Sequence, residues 1–276
     1  MALLTAVGPP TRPIPMQERF FVQSRTLPRD AAPEWPHGEP SQDEPLGTLK
    51  SGKEAEIFLV ERRFAASGPR LIAHKRYRPR YPTGGQLRAE GFSNSTSYRG
   101  DAVYKASWFL PTRDKKAVMG GSRFGHELAH RLWPMQEWAM LRRAWQAGVT
   151  VPYPVEQTEH GLMMEFIGDE TQAAPKLGQA RLSERELASA WEQLVGNLRR
   201  LTEAGLVHAD LSVYNLLWWE GRLIVIDLPQ AVEFVTNADA YDLLHRDLAN
   251  VGQWFTRRLA GIDVEAVYAE LLALAW

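Results

Sequence analysis

The stretch from Leu206 to Glu233 has the sequence LVHADLSVYNLLWWEGRLIVIDLPQAVE, and it is the main basis for the fold that we predict. An apolar entry leads into a polar loop that holds Asp210 and Asn215. Two short apolar runs follow with Glu220-Gly221 between them, a dipeptide that indicates the turn of a β-hairpin. Because the second run ends on Asp227, the loop and the hairpin bring the three polar side chains into one small region.

These three side chains suit phosphoryl transfer. That reaction needs a group that orients the attacking oxygen, and oxygen ligands that hold Mg²⁺ on the nucleotide phosphates. An Asp followed five residues later by an Asn has the spacing of a kinase catalytic loop, and an Asp that ends the next hairpin supplies a second metal ligand. We therefore expect Asp210 and Asp227 to be catalytic, and Asn215 and Asp227 to bind the metal. The alternative is a polar loop with a capping Asp and a turn Asn.

The same stretch resembles the RIO family of atypical protein kinases, through HADLSxYN and IDxxQAVE. Ordinary protein kinases have HRD and DFG where this chain has His208-Ala209-Asp210 and Asp227-Leu228-Pro229. The chain departs from the family at Val213, where RIO sequences usually have Glu. Over roughly residues 46 to 260, the resemblance implies a kinase-like fold with serine/threonine kinase or ATPase activity.

Upstream of this stretch, the sequence predicts a phosphate-binding connection. The segment LGTLKSGKEAEIFLVERR, which begins at Leu46, indicates two strands joined tightly at Ser51, Gly52 and Lys53. Glycine there lets backbone N–H groups approach phosphate, and lysine adds positive charge. RIO sequences carry the same GKEA motif, so the resemblance implies that these three residues contact phosphate. By itself, the connection is also compatible with a simple hairpin turn.

Two charged residues further along suit a buried ion pair. Lys75 lies two positions after Ala73 on a predicted strand, which is the pattern of the kinase lysine that binds the α- and β-phosphates. Glu137 has apolar neighbours at helical spacing within a predicted helix over 124–147, and WPMQEWAMLRRA resembles the corresponding RIO helix. An inward Glu is costly unless it is paired, so we expect Lys75 as its partner. An exposed strand lysine and a surface Glu are the alternatives.

The segment Met163–Gly168 resembles the linker between kinase lobes, whose backbone groups bond adenine. The resemblance therefore implies adenine contacts at Glu165 and Ile167. Further on, Ser183 and Glu186 form a capping box that opens a helix leading to the catalytic loop. Only 49 residues follow Asp227, and no activation segment fits among them.

These elements predict an α+β, two-lobed protein-kinase-like fold with a shortened helical C-terminal lobe. Residues 1–45 contain 9 of the 18 prolines and indicate an extended or disordered arm, so the resemblance is to the RIO branch without an N-terminal winged-helix domain. We expect a sheet-rich lobe over 46–165 and a helical lobe over 166–276. The stretch 79–121 shows no periodicity and predicts a flexible insertion.

The charge is unevenly distributed although the net charge is −1. Residues 70–123 hold 12 Lys and Arg against 3 Asp and Glu, whereas residues 166–276 hold 9 against 16. This asymmetry fits either cations around ATP or a polyanionic partner, such as RNA or a ribosomal particle, at the basic insertion. With no cysteines, no signal-peptide pattern and no apolar run near the ~20 residues that span a bilayer, we expect a cytoplasmic protein with no membrane partner.

The function that we expect is ATP- and Mg²⁺-dependent phosphoryl transfer, as a RIO-type kinase or an ATPase switch. A small-molecule phosphotransferase of the aminoglycoside or choline kinase type is one alternative, although those proteins resemble HGDxHxxN. An RNA- or ribosome-binding module with a structural ATP is another. The intact set of Lys75, Asp210, Asn215 and Asp227 favours turnover. The RIO resemblance also implies an aspartyl-phosphate intermediate at Asp227.

Overall fold

The structure is a computed structural model that describes residues 35–36, 38–52, 55–78 and 123–275, with side chains from residue 133 onward in the last range. The predicted arm up to residue 34, Lys53 and the predicted insertion at 79–121 therefore lie outside the described residues. Across the parts of the chain that are described, no helix is both long enough and apolar enough to cross a bilayer.

A five-stranded antiparallel sheet forms the first part of the described chain. Its strands are β1 (Ser41–Ser51), β2 (Ala55–Phe64), β3 (Gly68–Tyr77), β4 (Pro154–Thr158) and β5 (Gly161–Glu165), in the order β1-β2-β3-β5-β4. Strand β3 is central, and Lys75 pairs with Ile57 of β2 and Leu162 of β5. The backbone around Lys75 is thus hydrogen-bonded on both sides, which fixes where its side chain leaves the sheet.

Strand β1 begins at Ser41, before the predicted start of the ordered region at Leu46. All its residues are exposed, so the strand has no apolar alternation and depends on its pairing with β2. Arg62 of β2 adds an ion pair to Asp43, with 2.6 Å between Nε and Oδ1. The expectation of an arm up to residue 45 is corrected here, because edge pairing leaves no periodicity to recognise.

Close contact between β3 and β5 depends on Gly161. A Cβ atom built at this position would lie 1.9 Å from the carbonyl oxygen of Lys75. Real Cβ atoms do not approach an oxygen so closely, so only glycine fits at this point of the sheet.

Helix α1 (Arg123–Gln146) packs against β4 and β5 and agrees closely with the predicted helix. Gly148, just beyond the last residue of the helix, terminates it, because its φ of 76° lies in the left-handed region that favours glycine. Val149 N donates to Ala144 O and Gly148 N to Trp145 O, each at 3.0 Å. This is the Schellman arrangement, and it turns the chain from the helix into β4.

The second part of the chain contains three helices and two small sheets. Helix α2 (Glu184–Glu203) opens with the predicted capping box, in which Glu186 N donates to Ser183 Oγ at 3.3 Å and Ser183 N donates back to Glu186 Oε2 at 2.9 Å. The remaining elements are β6 (Leu206–Val207) paired with β9 (Val232–Glu233), β7 (Leu216–Trp219) paired with β8 (Arg222–Val225), α3 (Ala240–Thr256) and α4 (Val264–Leu274).

The predicted hairpin is confirmed as β7–β8. Glu220 and Gly221 have φ values of 49° and 75°, as a type I′ turn requires at both central positions. The buried side chains of the hairpin meet those of α2 and α3 in the main hydrophobic core; its fully buried members include Leu194, Leu198, Leu201, Leu216, Leu223, Leu244, Leu248 and Phe255. The stretch from Leu206 to Glu233 is therefore built on packed apolar residues, and the α+β class is confirmed.

Candidate active site

Lys75, Glu137 and Asp227 form one ionic cluster. Lys75 Nζ lies 2.6 Å from Glu137 Oε1 and 2.7 Å from Asp227 Oδ1. Lys75 comes from β3, Glu137 from α1, and Asp227 from the residue after Ile226 at the end of the β7–β8 hairpin. Lys75 and Glu137 are 8% and 3% exposed, whereas the Asp227 side chain is 43% exposed. The cluster is therefore closed on the helix side and open at Asp227.

The charges in this cluster stabilise one another. Burial alone lowers the pKa of Lys75, but the charges of Asp227 and Glu137 outweigh burial and hold that pKa well above its usual value. The Lys75 charge lowers the pKa of Asp227. Burial raises the pKa of Glu137, which also accepts a hydrogen bond from the Tyr77 hydroxyl. A protonated Lys75 and an ionised Asp227 are the forms that this arrangement favours.

The catalytic loop holds Asp210 and Asn215 together. Asn215 Nδ2 donates to the backbone carbonyl of Asp210 at 2.8 Å, and Ile226 N donates to Asn215 O at 3.0 Å. The second bond ties the loop to the strand residue just before Asp227. Desolvation raises the pKa of Asp210, and the charge of Asp227 raises it further. The structure thus brings Asp210, Asn215 and Asp227 into one region.

Two residues of this region have left-handed backbone conformations. Ala209 has a φ of 63° and Asp227 a φ of 69°, which cost about 1–2 kcal/mol each in a residue other than glycine. His208 Nε2 lies 3.1 Å from Ile226 O and links the two turns. Strained backbone beside the predicted catalytic carboxylates is typical of a functional site.

Asp247 is a site residue that the sequence analysis missed. It lies on α3, is 1% exposed, and its Oδ1 accepts a hydrogen bond from Leu211 N at 3.1 Å. Burial raises its pKa to about 6. The neighbouring Arg246 donates to the carbonyl of Ala209. A signal existed in the sequence, because Asp247 lies at helical spacing from Leu244 and Val251 and interrupts the apolar face that they would form with Leu248.

Helix α1 is also tied to the segment that follows Asp227. Gln136 Nε2 donates to the carbonyl of Ala231 at 3.1 Å, and Arg143 forms an ion pair with Glu233. These contacts were not anticipated from the sequence, since both residues look like ordinary polar positions on a surface helix. They hold the helix of Glu137 against the segment that follows Asp227.

The predicted phosphate loop is described only in part. Ser51 Oγ accepts from Arg78 Nη2 at 2.5 Å, and Gly52 N donates to Ala55 O at 2.9 Å across the β1–β2 connection. Among the described residues, the side-chain bonds of Ser51 go to Arg78 and Glu56 and not to the ionic cluster. Lys53 lies outside the described residues.

The predicted adenine contacts lie at the connection between β5 and the helical part. Glu165 Oε2 accepts from Tyr153 N at 3.0 Å, and Ile167 O accepts from Ala174 N at 2.9 Å. Glu165 and Ile167 also line a shallow cavity of about 170 Å³, together with Thr150, Trp219 and Arg222. Glu165 N also donates to Tyr153 O at 2.9 Å. The Glu165 side chain and N–H and the Ile167 carbonyl are thus used by the protein itself, so adenine binding would need the Glu165 carbonyl and the Ile167 N–H.

The donor set suits Mg²⁺ shared with a phosphate ligand. No group of three or more His, Cys, Asp or Glu side chains converges to hold a metal in the part of the chain that is described. Mg²⁺ at phosphoryl-transfer sites takes only one or two protein ligands and completes its shell with phosphate and water. Asp227 with the amide oxygen of Asn215 fits that requirement.

Comparisons with known proteins agree with this geometry. A family model described as the RIO domain matches residues 100–267, more than half of the chain. The chain is 40% identical over 168 residues to the RIO-type serine/threonine-protein kinase Rio1 of Haloferax volcanii, covering 59% of this chain and 56% of that protein. It is 40% identical over 128 residues to the human serine/threonine-protein kinase RIO3, covering 46% and 24% respectively.

A third relative is the serine/threonine-protein kinase rio1 of Schizosaccharomyces pombe, 34% identical over 168 residues, which cover 58% of this chain and 34% of that protein. The chain therefore spans about half, or less, of the length of these curated relatives. The matched region contains Glu137, the catalytic loop and Asp227, and the RIO domain has a protein-kinase-like fold, as the sequence predicted. By its matched domain and its relatives, the chain belongs to the RIO family of atypical serine/threonine protein kinases.

Proposed function

We propose that the chain catalyses ATP- and Mg²⁺-dependent phosphoryl transfer, as a RIO-type serine/threonine kinase or ATPase switch. The observation that supports this most strongly is the cluster in which Lys75 Nζ lies 2.6 Å from Glu137 and 2.7 Å from Asp227. It joins a strand lysine, a helix glutamate and a metal-binding aspartate, the arrangement that kinases need for phosphate binding.

Lys75 is the proposed anchor for the nucleotide phosphates, and Glu137 sets its position. Because Asp227 is the exposed partner, the Lys75 side chain can exchange part of that contact for a phosphate oxygen while Glu137 keeps it in place. Ser51, Gly52 and Lys53 are proposed to contact the phosphates from the β1–β2 connection. Backbone groups of Glu165 and Ile167 are proposed to contact adenine.

Asp210 is the proposed base that orients the attacking oxygen. The desolvation that raises the pKa of Asp210 makes it a better proton acceptor once it is ionised. Asn215 uses its amide nitrogen to hold the Asp210 carbonyl, so its amide oxygen is the atom left for metal binding. Mg²⁺ bound by Asn215 and Asp227 would neutralise charge on the phosphates during transfer.

The proposed organisation is a sheet-rich lobe from Ser41, where β1 begins, to residue 165 and a helical lobe over 166–276. The nucleotide phosphates would contact Lys75 of the first lobe and the metal at Asp227 of the second. The family match gives no support to the small-molecule phosphotransferase alternative. An RNA or ribosomal partner at residues 79–121 stays a prediction from charge. A location in the cytoplasm stays a prediction from the sequence, which shows no cysteine and no signal-peptide pattern.

The experiment is an ATP turnover assay with Mg²⁺ or with EDTA, in three arms: no acceptor, added RNA, and a panel of aminoglycosides and choline. Asp227→Asn is compared with the wild type, and Asp242→Asn serves as a matched control on an exposed helix position. We expect Mg²⁺-dependent turnover without small acceptors, unchanged in the control and reduced about 10²-fold or more in Asp227→Asn.

Two results would count against the proposal. ATP binding with no turnover in any arm would indicate a structural nucleotide. Turnover that requires an aminoglycoside or choline would indicate a small-molecule phosphotransferase.

A further inference from the structure

We propose that Lys176 contacts the transferred γ-phosphoryl group and carries part of its charge in the transition state. The inference rests on the proposed function and adds to it a catalytic residue outside the stretch from Leu206 to Glu233. Lys176 belongs to the segment between the β5 connection and α2, in the sequence Ala174-Pro175-Lys176-Leu177-Gly178.

The backbone fixes this segment against the catalytic loop. Lys176 forms an antiparallel bridge with Leu217 of β7. Its neighbours continue the contact, since Leu177 N donates to Leu216 O at 2.8 Å and Gly178 N donates to Val213 O at 3.2 Å. Lys176 is thus held beside the strand that follows Asn215.

The side chain of Lys176 is directed by Tyr214, the residue before Asn215. Lys176 Nζ lies 5.7 Å from the centroid of the Tyr214 ring, within the range of a cation–π contact. Tyr214 is 56% exposed, one of the few large apolar side chains that the described structure leaves open. The ring therefore supports the lysine at the open edge of the loop.

Charge around Lys176 indicates an anionic ligand. Among the described residues, no carboxylate lies within ion-pair distance of its ammonium group, which is half-buried. Burial lowers the pKa of Lys176, the nearby charge of Lys50 lowers it further, and Asp227 raises it. The charge of Lys50 also lowers the pKa of Asp227. Lys50, Lys176 and Asp227 are therefore close enough for their charges to influence one another.

Phosphoryl transfer beside Asp227 needs an additional cation. The loop from Asp210 to Asn215, DLSVYN, contains none. Lys75 is shared by two carboxylates, and Arg246 is occupied by the Ala209 carbonyl and Asp247. A phosphoryl group in transfer spreads negative charge over its outer oxygens, and positioned cations there supply much of the catalysis. Lys176 is the described lysine best placed to supply that charge from the catalytic-loop side.

The test uses ADP·Mg²⁺ and ADP·Mg²⁺ with aluminium fluoride, which mimics the group in transfer, and measures binding by calorimetry. The variants are Lys176→Ala, Lys176→Arg and Arg181→Ala, an exposed cation in the same segment as the matched control. We expect Lys176→Ala to keep ADP affinity within about threefold but to lose about tenfold to a hundredfold in affinity for the aluminium fluoride complex. Lys176→Arg should recover most of that loss, and Arg181→Ala should match the wild type.

Steady-state turnover gives the second measurement. Lys176→Ala should lower kcat with little change in KM for ATP, because the interaction is made mainly in the transition state. If the variant binds the aluminium fluoride complex and turns over ATP like the wild type, this inference is overturned while the proposed function stands. If the wild type binds ADP but neither binds the aluminium fluoride complex more tightly nor turns over ATP, both this inference and the proposed function are overturned. Retained ADP binding verifies that the variant is folded.

Discussion

Lys75 and Asp227 lie 152 positions apart in the sequence, yet Nζ of the lysine is 2.7 Å from Oδ1 of the aspartate. The contact joins the central strand of the sheet to the end of the hairpin that the catalytic loop precedes. Because Glu137 holds the same ammonium group at 2.6 Å, one lysine connects three separate parts of the chain. The stability and the activity of the protein should therefore respond differently to changes in this cluster.

Replacing Lys75 by Met should abolish ATP turnover and lower the free energy of unfolding by about 3–5 kcal/mol, because Glu137 is left buried without its cation. Adding Glu137→Gln to that variant should restore much of the stability but none of the turnover. Urea unfolding and an ATPase assay on the single and double variants measure both effects. Near wild-type turnover in Lys75→Met would show that the phosphate anchor is wrongly assigned.

Asp247 should make stability depend on pH. Its pKa is raised from about 3.8 to about 6 by burial, so the folded state favours the neutral carboxyl group. The stabilisation that comes from the neutral Asp247 carboxyl group is fully present below its unfolded pKa of about 3.8. It is lost as the pH rises through about 6, and the total loss is about 3 kcal/mol at most.

Asp247→Asn removes this titration. The free energy of unfolding of the Asn variant relative to the wild type should therefore rise between pH 4 and pH 7, as measured by urea unfolding across that range. Asp242→Asn, at an exposed position of the same helix, controls for the loss of an ordinary carboxylate. A difference between Asn variant and wild type that stays constant with pH would contradict the prediction.

Activity should not require phosphorylation of the segment after Asp227. Ala209 occupies the position before Asp210 where many kinases have an arginine that pairs with a phosphorylated activation segment. Here Gln136 and Arg143 hold α1 to Ala231 and Glu233 instead. Phosphatase treatment should leave turnover unchanged, whereas Arg143→Ala should lower it severalfold. Loss of activity on treatment, with the removed phosphate mapped beyond Asp227, would refute this.

Turnover should pass through phosphorylated Asp227. A carboxylate oxygen of Asp227 attacks the γ-phosphorus of ATP, the bond to the β-phosphate oxygen breaks, ADP leaves, and water later hydrolyses the acyl phosphate. The partly exposed carboxylate beside Lys75 is placed for this step. Label from γ-phosphate-labelled ATP should stay on the protein and be released by hydroxylamine. Label that resists hydroxylamine and maps to a Ser or Thr would support direct transfer with Asp210 as base.

The sequence was most informative where local pattern and chemistry coincide. The Glu220-Gly221 turn, the Ser183 capping box and the Lys75–Glu137 pair were each predicted, and the structure contains all three. A turn and a cap depend on a few adjacent residues. The ion pair was predictable because an inward carboxylate requires a cation, and Lys75, two positions after Ala73, has the pattern of the kinase strand lysine.

What the sequence could not provide depends on contacts between distant segments. The sequence predicted a strand from Leu46 but missed residues 41–45 of β1, because the strand has no buried residue and only its pairing with β2 defines where it begins. The bond from Leu211 to Asp247 spans 36 positions, and although Asp247 stands out on an apolar helix face, nothing in the sequence names Leu211 as its partner. Lys176 is an unremarkable lysine until the bridge to Leu217 places it beside Tyr214.

Gly161 takes no part in the chemistry of the site. Because its backbone lies so close to the carbonyl of Lys75, a mutation at this position can still abolish activity. One added methyl group there would have to push β5 away from the strand that carries the phosphate anchor. A random-mutagenesis screen for inactive but expressed chains should therefore recover substitutions of Gly161. Alanine at Gly196, where the added atom would meet only the flexible end of Arg200 at 3.5 Å, should pass such a screen unnoticed.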